Sequence, residues 1–92
     1  MSAGPLRVPA HVAYEVLEGE AVLLHLGVGE YFQLDPIGTR MLQLLAAGSD
    51  REQVLAALMA DYEVEPAILA TDFDRLVDEL LAAGLVEAAP NR

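Results

Sequence analysis

The ten residues 29–38, GEYFQLDPIG, join a turn glycine, a short aromatic strand and a helix start. Gly29 can close a turn at positive φ, a conformation that glycine enters without steric cost. In the extended segment that follows, Phe32 and Leu34 share one face while Tyr31 and Gln33 share the other. Asp35-Pro36 then reads as a helix N-cap followed by proline at the first helical position, where its missing amide hydrogen is no loss. Strand gives way to helix within one residue. The pattern leaves open which pair of side chains meets a core, and whether the outer edge of the strand is paired.

Downstream, Ile37, Met41, Leu42, Leu44 and Leu45 recur at helical spacing as far as Ala46-Ala47-Gly48, where Gly48 suits a C′ stop. Ser49-Asp50-Arg51-Glu52 has the form of a capping box, which predicts that the Ser49 hydroxyl caps a second helix while Glu52 reaches back to the Ser49 amide. That helix carries Val54, Leu55, Leu58, Met59 and Tyr62. Glu63-Val64-Glu65-Pro66 separates it from a third, on which Leu69, Phe73, Leu76, Val77, Leu80 and Leu81 form one apolar stripe. Gly84 ends the third helix, and Leu85-Val86 is expected to pack as a closing segment.

Upstream, Ala21–Leu26 is a nearly continuous apolar run of strand length, joined to Tyr31–Leu34 through Gly27-Val28-Gly29. His11–Leu17, with Val12, Tyr14 and Val16 on one side, reads as an earlier strand that Glu18-Gly19-Glu20 breaks. The expected fold is α+β: a three-stranded antiparallel sheet followed by three helices, close in element content to a winged helix-turn-helix. Residues 1–10 read as a flexible N-terminal arm, 11–87 as one domain and 88–92 as a C-terminal tail, with fraying expected from Glu87 onward.

At 92 residues and 54% apolar composition the chain has room for one modest core and no second domain. No window approaches the length of apolar sequence that spans a membrane, the N-terminal residues lack the apolar core of a secretory signal, and cysteine is absent, so a cytoplasmic protein without membrane attachment is expected. The charge is more telling. Fifteen carboxylates face five arginines and no lysine, for a net charge of −10. A nucleic acid would meet repulsion where binding needs cations, and the third helix, with Asp72, Asp74, Asp78 and Glu79 around Arg75, would present carboxylates to phosphates. A basic peptide or protein segment suits this balance better.

Motifs for catalysis are missing: there is no GxSxG, no Gly-rich phosphate loop, no His-Glu-x-x-His and no cysteine nucleophile. His11 and His25 fall on different strands beside apolar neighbours and read as structural or surface residues. Asp35 and Glu52 are accounted for as caps. No catalytic residue, metal or cofactor is expected, and the protein reads as a non-enzyme.

The order and spacing of these marks resemble the PqqD-like proteins, the recognition elements for ribosomally synthesised and modified peptides. The resemblance rests on the apolar strand AVLLHL, on Gly29, Tyr31, Phe32 and Leu34, on the polar Asp35 before the first helix, and on the Leu-Leu-x-x-Gly-Ser end of that helix. It continues through Tyr62 and the Asp72, Leu76, Leu80, Gly84-Leu85 pattern, covering roughly residues 11–87. Asp35 stands where members often carry asparagine, and Met41 lies near a common tryptophan; each keeps the role of cap or core.

What the resemblance implies is specific. An acidic single domain of this kind looks like the discrete leader-binding proteins of lasso-peptide biosynthesis, in which a separate leader peptidase acts on the delivered precursor. The alternative is the member that serves a radical enzyme in pyrroloquinoline quinone synthesis. The leader segment would add as a strand on the exposed edge of Glu30–Leu34, in the groove beside the third helix. The implied peptide-binding residues are Glu30, Tyr31, Phe32, Gln33 and Leu34 on the strand and Asp72, Arg75, Leu76 and Glu79 on the helix, with Phe32 and Leu34 open to a pure core role. A monomer is expected, or a weak dimer through the same edge.

Overall fold

The computed structural model describes residues 6–88. Strands β1 (Leu6–Arg7), β2 (Val12–Leu17), β3 (Glu20–His25) and β4 (Tyr31–Gln33) lead into helices α1 (Pro36–Ala46), α2 (Arg51–Asp61) and α3 (Pro66–Ala82), and β5 (Glu87–Ala88) follows. The expected three-stranded antiparallel sheet is present with order β2-β3-β4, and three helices follow it. Between β2 and β3, Glu18 and Gly19 both take positive φ, the two-residue turn whose twist matches a hairpin. Between β3 and β4, Gly29 sits at φ 78° and its amide donates to the His25 carbonyl, so the turn closes at the expected glycine.

The sheet buries one face. Val12, Ala21, Leu23 and Leu34 are buried, with Tyr14 and Phe32 half-buried, against Met41, Leu42 and Leu45 of α1, Val54 and Leu58 of α2, and Leu69, Phe73, Val77 and Leu80 of α3. Burial pushes the Tyr14 phenol above its ordinary value. The third-helix stripe is narrower than its sequence pattern: Leu76 is half-buried and Leu81 is exposed.

A single buried hydroxyl ties the layers together. Thr39, in the first turn of α1, accepts from the Ala21 amide at 2.7 Å and donates to the Leu34 carbonyl at 3.3 Å, while the Leu34 amide donates to the Ala21 carbonyl at 2.8 Å. The start of β3, the end of β4 and the start of α1 thus share one closed set of hydrogen bonds.

Two expectations are corrected. The capping box lies one residue later than Ser49–Glu52: Asp50 caps α2 by accepting from the Gln53 amide at 2.9 Å, and the Gln53 side chain accepts from the Asp50 amide. The Ser49 amide is already taken, donating to the Leu44 carbonyl to close α1 around Gly48 at φ 107°, and so cannot meet Glu52. The second correction concerns the ends of the chain. Leu6–Arg7 does not belong to a loose arm and Glu87 does not fray, because β1 pairs antiparallel with β5 and Arg7 forms an ion pair with Glu87. Burial of Leu6, Leu85 and Val86 holds the two segments together. Residues 1–5 and 89–92 of the expected arm and tail lie outside the described residues.

Two measurements follow from these contacts. The Thr39→Val substitution leaves the buried Ala21 amide and Leu34 carbonyl short of a partner, and a urea melt is expected to show a loss of about 1–3 kcal/mol. Between α2 and α3, Arg51 grips Asp74 in two hydrogen bonds of 2.9 and 3.0 Å. Chiefly through the Arg51 hydrogen bond, the Asp74 carboxyl is held below its ordinary value of 3.8. A depressed folded value gives stability that is present above the ordinary value and fades as pH falls through the folded one. Thermal melts of the protein and its Asp74→Asn variant are therefore expected to differ at about pH 7, with the difference shrinking as pH falls below 3.8.

Candidate peptide-binding groove

Strand β4 is the last strand of its sheet, and the register fixes which of its backbone groups point outward. The His25 amide donates to the Glu30 carbonyl and the Leu34 amide to the Ala21 carbonyl, both in the register that pairs Leu23 with Phe32. Along an antiparallel pair, hydrogen-bonded and non-bonded positions alternate. Glu30, Phe32 and Leu34 therefore turn their peptide groups toward β3, while Tyr31 and Gln33 turn theirs to the open edge. No backbone partner is found for Tyr31 or Gln33 on that side among the described residues.

Beside this edge runs a groove of about 440 Å³, lined by Gln33, Leu34, Asp35, Ile37, Gly38, Met41, Asp72, Arg75, Leu76 and Glu79. Three elements build it. Leu34 enters from the inner face of β4, Ile37, Gly38 and Met41 come from the first turns of α1, and Asp72, Arg75, Leu76 and Glu79 stand one turn apart on α3. Gly38 lets the walls approach: a Cβ there would stand 3.1 Å from Asp35 Oδ1, 3.5 Å from Leu34 Cβ and 3.6 Å from Leu76 Cδ2.

The chemistry of the groove is apolar below and acidic above. Leu34, Ile37, Met41 and Leu76 supply the apolar part. Asp35 accepts from the Gly38 amide at 2.7 Å as the N-cap of α1, and Arg75, the one basic residue of the lining, lies 3.5 Å from Asp72. Glu79 and Asp35, both exposed and both in the lining, have no ion-pair partner among the described residues. Among the described residues no group of three or more His, Cys, Asp or Glu is placed to hold a metal ion, and no helix is long and apolar enough to cross a membrane.

Of the residues singled out in the sequence, Gln33, Leu34, Asp72, Arg75, Leu76 and Glu79 come together in this lining. Glu30, Tyr31 and Phe32 stand outside it: Glu30 is exposed at the turn, Tyr31 is exposed on the outer face of the sheet, and Phe32 packs against the core. Asp35, Ile37, Gly38 and Met41 were not foreseen as lining. Helical periodicity assigns them to cap and core, and nothing local shows that α3 stops short of covering them.

A family profile described as coenzyme PQQ synthesis protein D (PqqD) matches residues 20–86, most of the chain. The chain belongs to the PqqD family. Among curated protein sequences, none is significantly similar to this PqqD-family chain. Two solved structures share its fold over nearly its whole length. One is TbiB1 in complex with the TbiA(beta) leader peptide, with a TM-score of 0.80 and 30% identity over 92% of this chain and 99% of the other. The second is lasso peptide synthetase B1 complexed with the leader peptide, with a TM-score of 0.81 and 28% identity over 89% of this chain and 96% of the other.

The double position of Asp35, as cap and as groove wall, can be separated by substitution. Asp35→Ala removes the bond to the Gly38 amide and is expected to lower stability by about 1 kcal/mol in a urea melt, whereas Asp35→Asn, which caps as well, is expected to leave it nearly unchanged.

Proposed function

We propose that the protein binds the leader segment of a ribosomally made precursor peptide as an added strand on β4 and presents it to a separate leader peptidase, performing no chemistry itself. The observation that carries this reading is the open edge at Tyr31 and Gln33 running beside a groove with an apolar floor and an acidic rim. The two similar structures, each holding a leader peptide, support the same class of ligand.

In this reading backbone bonds to Tyr31 and Gln33 give affinity without regard to sequence, and side chains at alternate positions of the leader give selectivity. Those facing the helices drop an apolar anchor between Leu34, Met41 and Leu76, and a basic residue near the opening meets Glu79 and Asp35. Glu30 and Phe32 serve by shaping the strand. The net charge of −10 favours such a peptide over DNA.

Delivery to a second protein needs another surface. The outer face of the sheet carries Val22, Leu24 and Tyr31, and the adjoining turn carries Leu26 and Val28; Leu26, Val28 and Tyr31 are 60, 65 and 68% exposed. This apolar face runs up to the edge at which the leader would add, so a peptidase resting there would meet both. The family description itself favours a second reading, a carrier for coenzyme PQQ synthesis; the two full-length structural neighbours weigh toward the lasso-type system.

Fluorescence polarisation with labelled lasso-precursor leader peptides is the test, and saturable binding is expected. Leu76→Ala is expected to weaken it by about 1–3 kcal/mol. Gln33→Pro removes an outward amide while leaving the ladder to β3 intact, so the variant should fold and lose most of its affinity. Absence of saturable binding, or a folded Gln33→Pro variant of full affinity, refutes strand addition.

A further inference from the structure

The histidine of β3 has a place that its sequence context does not suggest. His25 holds the β3–β4 turn at three points: its amide donates to the Glu30 carbonyl at 2.8 Å, its carbonyl accepts from the Gly29 amide at 2.8 Å, and its Nδ1 accepts from the Gly27 amide at 3.1 Å. The last contact copies an Asx turn, in which a side chain captures the amide two residues on. The imidazole lies in a slot between two glycines. A Cβ on Gly27 would stand 3.0 Å from His25 Cε1, and a Cβ on Gly84, just past α3, would stand 3.4 Å from His25 Nε2. The His11 ring closes a third side, its centroid 4.7 Å away and tilted by 45°.

The hydrogen bonds fix the protons. An amide can only donate, so His25 Nδ1 is bare and the neutral ring carries its hydrogen on Nε2. His11 Nε2 lies 3.0 Å from the Gly84 carbonyl, which can only accept, so His11 carries its hydrogen there. A second proton affects the two rings differently. His11 keeps its donor to the Gly84 carbonyl. His25 would gain an N–H aimed at the Gly27 N–H, donor against donor. The groups facing His25 are His11 from the β2 side, the Gly84 end of α3, and the Gly27 amide from the turn; neither imidazole is ion-paired with a carboxylate among the described residues.

We infer that His25 is a positioning residue for the peptide-binding edge, and that protonating its Nδ1 frees the Gly27 amide, loosens the turn that aligns β4 and weakens leader binding. The binding half of this inference rests on the function proposed above. Strand β4 has only three residues, so the turn at one end and the Thr39 junction at the other determine its alignment. The slot also couples the turn to the end of α3, the helix forming the opposite wall of the groove.

Amide hydrogen exchange on the peptide-free protein tests the turn, and polarisation with a leader peptide that saturates it at about pH 8 tests the edge. Between about pH 8 and about pH 5, where imidazoles gain their second proton, protection of the Gly27 and Gly29 amides, corrected for intrinsic exchange, is expected to fall. Leader affinity should fall about three- to tenfold, the factor one hydrogen bond sets. His25→Asn offers Gly27 an acceptor that does not titrate, and should flatten both profiles at the neutral-pH level; His25→Phe keeps a ring without an acceptor and should flatten them at the weakened level. Unchanged protection in the unaltered protein, or a pH dependence that survives His25→Asn and disappears in His11→Gln, overturns the inference. If no leader binds at any pH, the proposed function fails while the exchange measurement still decides the role of His25 in the turn.

Discussion

The fold depends on satisfying three polar groups in a place that water does not reach. Thr39 is 2% exposed, and its hydroxyl stands between the Ala21 amide and the Leu34 carbonyl. A three-residue strand cannot hold its own position, since so short a ladder returns little for the backbone freedom it removes. What holds β4 is the junction where it becomes a helix. Asp35 accepts the Gly38 amide, its carbonyl accepts the Thr39 amide, and Thr39 reaches back to the sheet. The groove and the open edge both take their geometry from that junction.

The local grammar of the chain was legible where each signal had one reading. Gly29 at positive φ, Asp35-Pro36 at the start of α1 and Gly48 past its end are positions where sterics leave few alternatives. The second cap was not unique, because Ser49…Glu52 and Asp50…Gln53 both fit a capping box in overlapping frames. The preceding helix decides between them by taking the Ser49 amide. Pairing of Leu6–Arg7 with Glu87–Ala88 spans nearly the entire chain, and two-residue strands have no periodicity to read. The groove was legible on the α3 side, through Asp72, Leu76 and Glu79, and missed on the α1 side, since Ile37 and Met41 look like ordinary core until the distance between two helices is known.

Charge is distributed so that the arginines of the described residues are already engaged. Among the described residues Arg7 pairs with Glu87, Arg40 with Asp61, Arg51 with Asp74 and Arg75 with Asp72. Exposed pairs of this kind contribute little stability each. Their larger effect is on the field: the arginines are neutralised locally, and the remaining carboxylates set the sign of the surface from the groove rim to the edges of the sheet. Under the function proposed above, encounter with a basic segment is accelerated from many directions, while the apolar part of the groove decides which segment stays.

The β1–β5 pair gives the domain a two-lead connector. Leu6 lies opposite Ala88 and Arg7 opposite Glu87, so the chain enters and leaves at adjacent points, joined by the Arg7–Glu87 ion pair. A module wired in this way can be spliced into a surface loop of another polypeptide with both seams at one spot, and neither seam would interrupt β4, α1 or α3. In evolutionary or engineering terms the domain is portable: the groove and the open edge of β4 lie wholly between the two leads.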